Sequence, residues 1–385
     1  MDSFLCYAAS SPSASVLYFD HNATSPLCAE ARAAWLEAHE RYPGNPSSPH
    51  RLGARADRAL DDARERLAAH LDCEPADIVW TSGATESNNT VIRHFSEAAG
   101  EGWVSAIEHP CVVAAVRRYF SGRHQWIPAR ATGVVDLDWL RERLGSNRPA
   151  FVGLMAANNE TGVLQPWREA FALCREHAIP FFCDAAQWLG RLPARGLGQA
   201  EAVSGCAHKF GGPQGVGFLK APARLRPLLV GGKQEDGRRA GTENVAGILA
   251  FAAALDARES LIAAGGVASR EALRERFIAD LGEAFPQIRV LGAGVPRLWN
   301  TVSAVMPEVD CRQRWVVKLD KGGFAVSTGS ACASGREEPS HVLQAMGLAA
   351  GEAGRVLRFS SGWEMGVEEW GRLLEGIQTA WGEMR

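Results

Sequence analysis

Ala202-Val203-Ser204-Gly205-Cys206-Ala207-His208-Lys209-Phe210-Gly211-Gly212-Pro213-Gln214-Gly215-Val216-Gly217-Phe218-Leu219 decides how the rest of the chain reads. A short apolar run ends at Val203, small residues follow, and a lysine comes directly after a histidine. Glycines and a proline then precede a second apolar run, a pattern that predicts strand, tight loop, strand. Arginine supplies most of the positive charge, the lysines being Lys209, Lys220, Lys233, Lys318 and Lys321. Lys209 alone sits in a glycine-packed loop between two apolar strands. An amine held there loses hydration, its pKa falls, and it can attack a carbonyl to form a Schiff base. The competing reading is a lysine snorkelling from a strand end.

The 385 residues, 46% hydrophobic and 22% charged, suffice for a large core and about two domains. A net charge of -3 offers no basic field for nucleic acid, and no apolar run approaches a membrane span, which leaves small-molecule chemistry as the expectation. The N-terminus has neither the charged nor the apolar segment of a secretory leader, so a cytoplasmic location is expected. Nine cysteines scattered without a CxxC pair read as reduced thiols, not as a disulfide frame or a metal site.

Working outward, residues 1–16 are Ser/Ala-rich and read as a flexible segment. Val16–Phe19 reads as a strand, and Ala29–Arg41 and Ala54–Leu71 as helices. Between those helices, 43–50 is too rich in proline and glycine for regular structure, and is either a linker or a loop reaching a site. From residue 78 apolar strands alternate with amphipathic helices. The fold class is therefore α/β, with a mostly parallel sheet between helices over 17–264. Gly265-Gly266 reads as a hinge into a smaller α+β domain over 265–385. Ser82-Gly83-Ala84-Thr85, Glu108-His109-Pro110, Asn158-Asn159-Glu160 and Asp184-Ala185-Ala186-Gln187 each follow an apolar strand. They fall at the carboxyl ends of the sheet, where ligands bind in such folds.

Each motif has two readings. Gly83, Ala84 and Thr85 open a helix and could hold a phosphate with free backbone N–H groups, or could be a plain N-cap. Asp184 ends an apolar strand, where a carboxylate needs a cationic partner such as a pyridinium nitrogen; alternatively it caps the next helix. His109 could stack on an aromatic ring or be a hydrogen-bonded loop residue. Their joint order is more specific than any one of them.

With Arg239-Ala240-Gly241-Thr242-Glu243-Asn244 and Ser327-Thr328-Gly329-Ser330-Ala331-Cys332 added, the chain resembles the NifS/IscS-type cysteine desulfurases. These are fold-type I pyridoxal 5′-phosphate (PLP) enzymes of the class V aminotransferase superfamily, and the likeness runs from about Tyr18 to Trp370. It implies a seven-stranded sheet in the larger domain and a homodimer. Lys209 would carry PLP as a Schiff base, Asp184 would pair with the pyridine nitrogen, Gln187 contact the ring hydroxyl and His109 stack on the ring. Ala84, Thr85 and His208 would bind the phosphate, with Thr242 doing so across the dimer interface. Asn159 and Arg358 would hold the substrate carboxylate. L-cysteine would be the substrate, Lys209 and His109 the proton-transfer groups, and Cys332, in a small-residue loop, the nucleophile that takes sulfur for an acceptor protein such as an iron–sulfur scaffold or a thiolation enzyme. Two positions depart from the family pattern: Cys206 replaces a serine at a cofactor-contacting position, with Ser204 a candidate substitute, and Gln214 replaces a lysine. A selenocysteine lyase, another PLP enzyme on this fold, or a catalytically silent scaffold are the alternatives; a nucleotide-binding module lacks its glycine motif.

Overall fold

The computed structural model describes residues 16–222, 224–308, 315–328 and 340–384; the N-terminal segment before residue 16 and Cys332 lie outside them. The strands in chain order are β1 Leu17–Tyr18, β2 Ile78–Thr81, β3 Gly102–Ser105, β4 His124–Ile127, β5 Phe151–Met155, β6 Phe181–Asp184, β7 Ala202–Cys206 and β8 Gly217–Lys220, followed by β9 Arg289–Val290, β10 Thr301–Val305, β11 Phe324–Ala325, β12 Ser327–Thr328 and β13 Val356–Ser360. Seven of them form one sheet in the order β2-β8-β7-β6-β5-β3-β4. All its pairs are parallel except those of β8, which runs antiparallel to both β2 and β7. The predicted strand–loop–strand is thus a hairpin, β7 and β8, with Lys209 in the short 3-10 turn Ala207–Lys209 that leaves β7.

The central strands are apolar throughout because helices cover both faces of the sheet. Phe181, Phe182 and Cys183 are all buried, and Phe182 packs with one hydrophobic cluster while Phe181 and Cys183 pack with another. Such a strand exposes only its end to water, which is where Asp184 stands. The helix expected from Ala54 begins at Arg51, because the His50 imidazole accepts the backbone N–H of Gly53 at 3.2 Å and caps it. Two elements between residues 120 and 149 escaped the sequence reading, β4 and the helix Leu137–Leu144. β4 is an edge strand of mixed polarity, half-buried at three of its four positions, so it carries no apolar run.

Four of the remaining strands build an antiparallel sheet, β12-β13-β10-β9, over a separate core of Phe277, Trp370, Leu373 and Ile377. The helices Val245–Ala263 and Gly266–Ala284 meet at Gly265, whose φ of +81° suits a residue without a side chain. β1 pairs with β11 and Phe19 packs into the second core, so the strand expected to open the larger domain lies with the smaller one. Among the described residues no helix is long and apolar enough to cross a membrane.

Glu235 stands apart from both cores. Its backbone is left-handed, φ 49°, as is that of Asp236. Its carboxylate accepts from Arg64 at 2.9 and 3.2 Å and from the backbone N–H of Trp80 at 2.9 Å. This buried fork clamps the segment that leads to Thr242 onto the second helix and β2. Glu235→Ala leaves the Arg64 guanidinium and the Trp80 N–H without their acceptor, at an expected cost of about 3 kcal/mol. A urea midpoint within error of the parent's would show that the fork carries no stability.

Candidate active site

At the carboxyl ends of β2, β5, β6 and β7 lies a cavity of about 530 Å³. Ala84, Thr85, His109, Asn159, Asp184, Gln187, Cys206, His208, Lys209 and Arg358 all line it, so one pocket gathers these sequence candidates. Thr242 does not: it is exposed and outside the cavity of its own chain. Ser204 is not there either. It is sealed within β7, its hydroxyl unpartnered, and it cannot stand in for the serine that Cys206 replaces. The Pro-rich stretch 43–50 also stays away, Pro46 and Ser47 lining a second cavity beside Arg64 and Glu235.

The Lys209 amine donates to the carbonyl oxygens of Asn22 at 2.7 Å and Ala23 at 2.8 Å. Asn22, which the sequence reading passed over, is a junction. Its side-chain amide donates to Thr301 at 2.9 Å and to the Asn159 carbonyl at 3.2 Å, and its own carbonyl also accepts from Gln187 at 2.9 Å. The turn after β1 thereby locks the lysine, the glutamine and the antiparallel sheet to one another. Only its helix-breaking composition, Asp20-His21-Asn22-Ala23-Thr24, marked it in the sequence.

Asp184 accepts from the Ala186 backbone N–H at 2.9 Å and from the Asn88 amide at 2.8 Å; turns and not a helix follow it, so it caps a turn while standing in the cavity wall. Glu108, directly before His109, is fully buried and accepts from Ser105 at 2.6 Å and the Met155 N–H at 2.7 Å. Burial pushes its carboxyl up to about 8, so it stays neutral and adds no second negative charge beside Asp184. Burial also lowers the His109 imidazole, with Lys209 and His341 acting in the same direction and Asp184 against them. His208 falls to about 4 through burial and the nearby Lys209 and Arg191, so this ring is neutral too.

Arg358, on β13, is 1% exposed. It donates to Asp20 at 2.6 Å and to the Asn159 carbonyl at 2.8 Å, while its Nε is buried without a partner. The guanidinium is thus held in the cavity wall with donor capacity left over. Next to it Glu160, raised to about 7 by burial, accepts from the Ser340 hydroxyl at 2.6 Å. Ser340 also caps the helix His341–Ala345, whose first residue donates from its ring Nε2 to the Glu108 carbonyl at 2.8 Å. Both motifs are thereby tied to the chain that follows Cys332.

Burial keeps every cysteine among the described residues a thiol. Cys206 rises to about 11, Cys111 and Cys174 to about 12, Cys73 to about 11, and Cys28 and Cys183 also lie above the ordinary value. None is a thiolate nucleophile at neutral pH.

The pocket fits PLP on three observations. Gly83, with φ +153°, has open space where a side chain would stand, and a Cβ on Gly217 would come within 2.5 Å of the Gly83 Cα, so bare backbone at the start of the helix Ala84–Phe95 faces the cavity as a phosphate cradle. The Gln187 side-chain Oε1 is buried and unpartnered, an acceptor suited to a ring hydroxyl. The amine of Lys209 and the carboxylate of Asp184 line the same cavity, supplying an attachment point for an aldehyde and a counter-charge for a pyridinium.

Comparison with known proteins agrees. The family model described as aminotransferase class-V matches residues 17–373. A cysteine desulfurase of Klebsiella pneumoniae is 38% identical over 351 residues, covering 89% of this chain and 87% of that protein. The solved NifS-like protein from Rickettsia africae superposes with a TM-score of 0.86 at 28% identity, over 95% of this chain and 99% of that one. The structure of SspA in complex with cysteine gives 0.75 at 28% identity, over 89% and 98%. A match across nearly the whole length, on a sheet and pocket of this design, means that the chain belongs to the class-V aminotransferase family.

Proposed function

We propose that this protein is a PLP-dependent cysteine desulfurase, which removes sulfur from L-cysteine to give L-alanine and a persulfide on Cys332. The observation that carries the reading is the convergence of Lys209, Asp184, Gln187, His109 and Arg358 on one cavity.

When bound, PLP supplies an electron sink for charge developing at the α-carbon of an amino acid. The chain's own residues do the rest. Lys209 would hold the aldehyde carbon and, once released by substrate, hold the α-proton at Nζ. Asp184 would keep the ring nitrogen protonated, Gln187 would accept from the ring hydroxyl, and His109 would cover the ring. The amides at Ala84 and Thr85, with neutral His208, would bind the phosphate, and Cys206 would add a weaker contact than a hydroxyl does. Arg358 and Asn159 would orient the substrate carboxylate. The six described cysteines are held as thiols, and the family likeness assigns the sulfur-accepting thiolate to Cys332. It forms an S–S bond to the substrate sulfur as the C–S bond breaks, and the carbon then takes a proton and leaves as alanine. The exposed Thr242 fits a role toward a second copy of the chain, and the persulfide would pass to an acceptor protein.

Borohydride reduction of the purified protein, followed by peptide mapping, is expected to place a pyridoxyl group on Lys209, and incubation with L-cysteine and excess dithiol, which reduces the persulfide, to yield alanine and sulfide in equal amounts. An unmodified Lys209 would remove the basis of the proposal.

A further inference from the structure

Cys111 lines the cavity two residues after His109, and nothing assigned so far uses it. Its sulfur lies 3.0 Å from His109 Nδ1 and 3.2 Å from Asn88 Nδ2, and its backbone N–H donates to the same Nδ1 at 3.2 Å. Asn88 Nδ2 is also 2.8 Å from Asp184 Oδ2. These contacts admit one direction. A carboxylate only accepts, so Asn88 must turn its NH₂ toward Asp184, and the second hydrogen of that group points at the Cys111 sulfur. The thiol, accepting from Asn88 and from the Thr85 hydroxyl, has one proton of its own, and His109 Nδ1 is the neighbour placed to accept it. That nitrogen has one lone pair, shared between the thiol at 3.0 Å and the longer contact from the Cys111 backbone N–H at 3.2 Å, so it carries no hydrogen.

We propose that Asn88 and Cys111 are positioning residues that run a hydrogen-bond chain from Asp184 to His109 and fix the imidazole as its Nε2–H tautomer. The inference rests on the PLP reading for its purpose: the carboxylate assigned to the ring nitrogen and the imidazole assigned to the ring face are set by one chain, so the donor face of His109 is oriented before substrate arrives. The chemistry requires an S–H at position 111, and burial keeps the thiol protonated. A serine preserves the donor–acceptor pair, whereas an alanine removes it.

The test is the tautomer itself. With 15N-labelled histidine in the full-length holoenzyme, and in the same chain stripped of PLP, the His109 signals, assigned by their loss in His109→Gln, are expected to show an unprotonated Nδ1 and a protonated Nε2. Cys111→Ala, which keeps only the longer backbone contact to Nδ1, should shift both nitrogens partway toward a mixture of tautomers and lower kcat about tenfold with KM changed less than about twofold. Cys111→Ser should restore the tautomer and most of kcat. An unchanged His109 spectrum in Cys111→Ala, or a Cys111→Ser protein as impaired as the alanine variant, overturns the relay. Because the nitrogen shifts are read without cofactor as well as with it, failure to load PLP sinks the functional proposal and still leaves the relay to be decided by those shifts.

Discussion

Lys209→Ala is expected to lower alanine formation from cysteine by about a thousandfold or more, and to leave no pyridoxyl group after borohydride treatment. The amine is the nucleophile that would hold the aldehyde and the base that would hold the α-proton, so one deletion removes two functions. Lys209→Arg is the sharper control. It keeps a cation beside the Asn22 and Ala23 carbonyls, and so keeps the hydrogen bonds that join the lysine turn to the turn after β1. A guanidinium neither forms the Schiff base nor gives up a proton near neutral pH. Loss of activity in both variants, with far-ultraviolet dichroism unchanged, separates chemistry from folding. An arginine variant retaining more than about a tenth of the parent rate would mean that this amine is not the attachment point.

Cys332→Ala should abolish sulfide release from L-cysteine while the cofactor absorbance band stays at the parent's strength. The expectation follows from the family likeness, and the described cysteines of the cavity do not compete with it. Cys111 and Cys206 are the cysteines that line the cavity among the described residues, and burial holds both as thiols, at about 12 and about 11. Neither offers the thiolate that the attack on sulfur needs. Sustained alanine production by Cys332→Ala under reducing conditions would move the nucleophile elsewhere or end the persulfide step. A cofactor band lost along with activity would show that position 332 supports the pocket instead.

Much of this was legible in the sequence because the central strands are apolar on both faces. Phe181-Phe182-Cys183 leaves Asp184 as the first polar residue, and the same break marks Ser82, Glu108 and Asn158, so the ends of the strands announced the pocket. What stayed hidden depends on residues that look ordinary where they stand. Asn88 and Cys111 lie on helical stretches with no periodic signal to set them apart, and only the packing of two helices brings them to 3.2 Å. Asn22 acts through its backbone carbonyl, which leaves no trace in residue type. Ser204 misled because an alternation along β7 puts residues 204 and 206 on the same face in principle, yet the strand ends at Cys206 and only that residue reaches the opening. β4 went unseen because an edge strand can afford polar residues.

The pairing of β12 with β13 sets Ser327 opposite Arg358 and Thr328 opposite Leu357. Four peptide units separate Thr328 from Cys332, a contour of about 14 Å even at full stretch. If Cys332 carries the sulfur as proposed, that contour bounds its distance from the end of β12, whose neighbour is the strand that holds Arg358. An acceptor of that sulfur would then have to meet it within that reach of β12 rather than at a remote face of the molecule, and since β13 itself is buried the contact would fall on the surface around the mouth of the pocket.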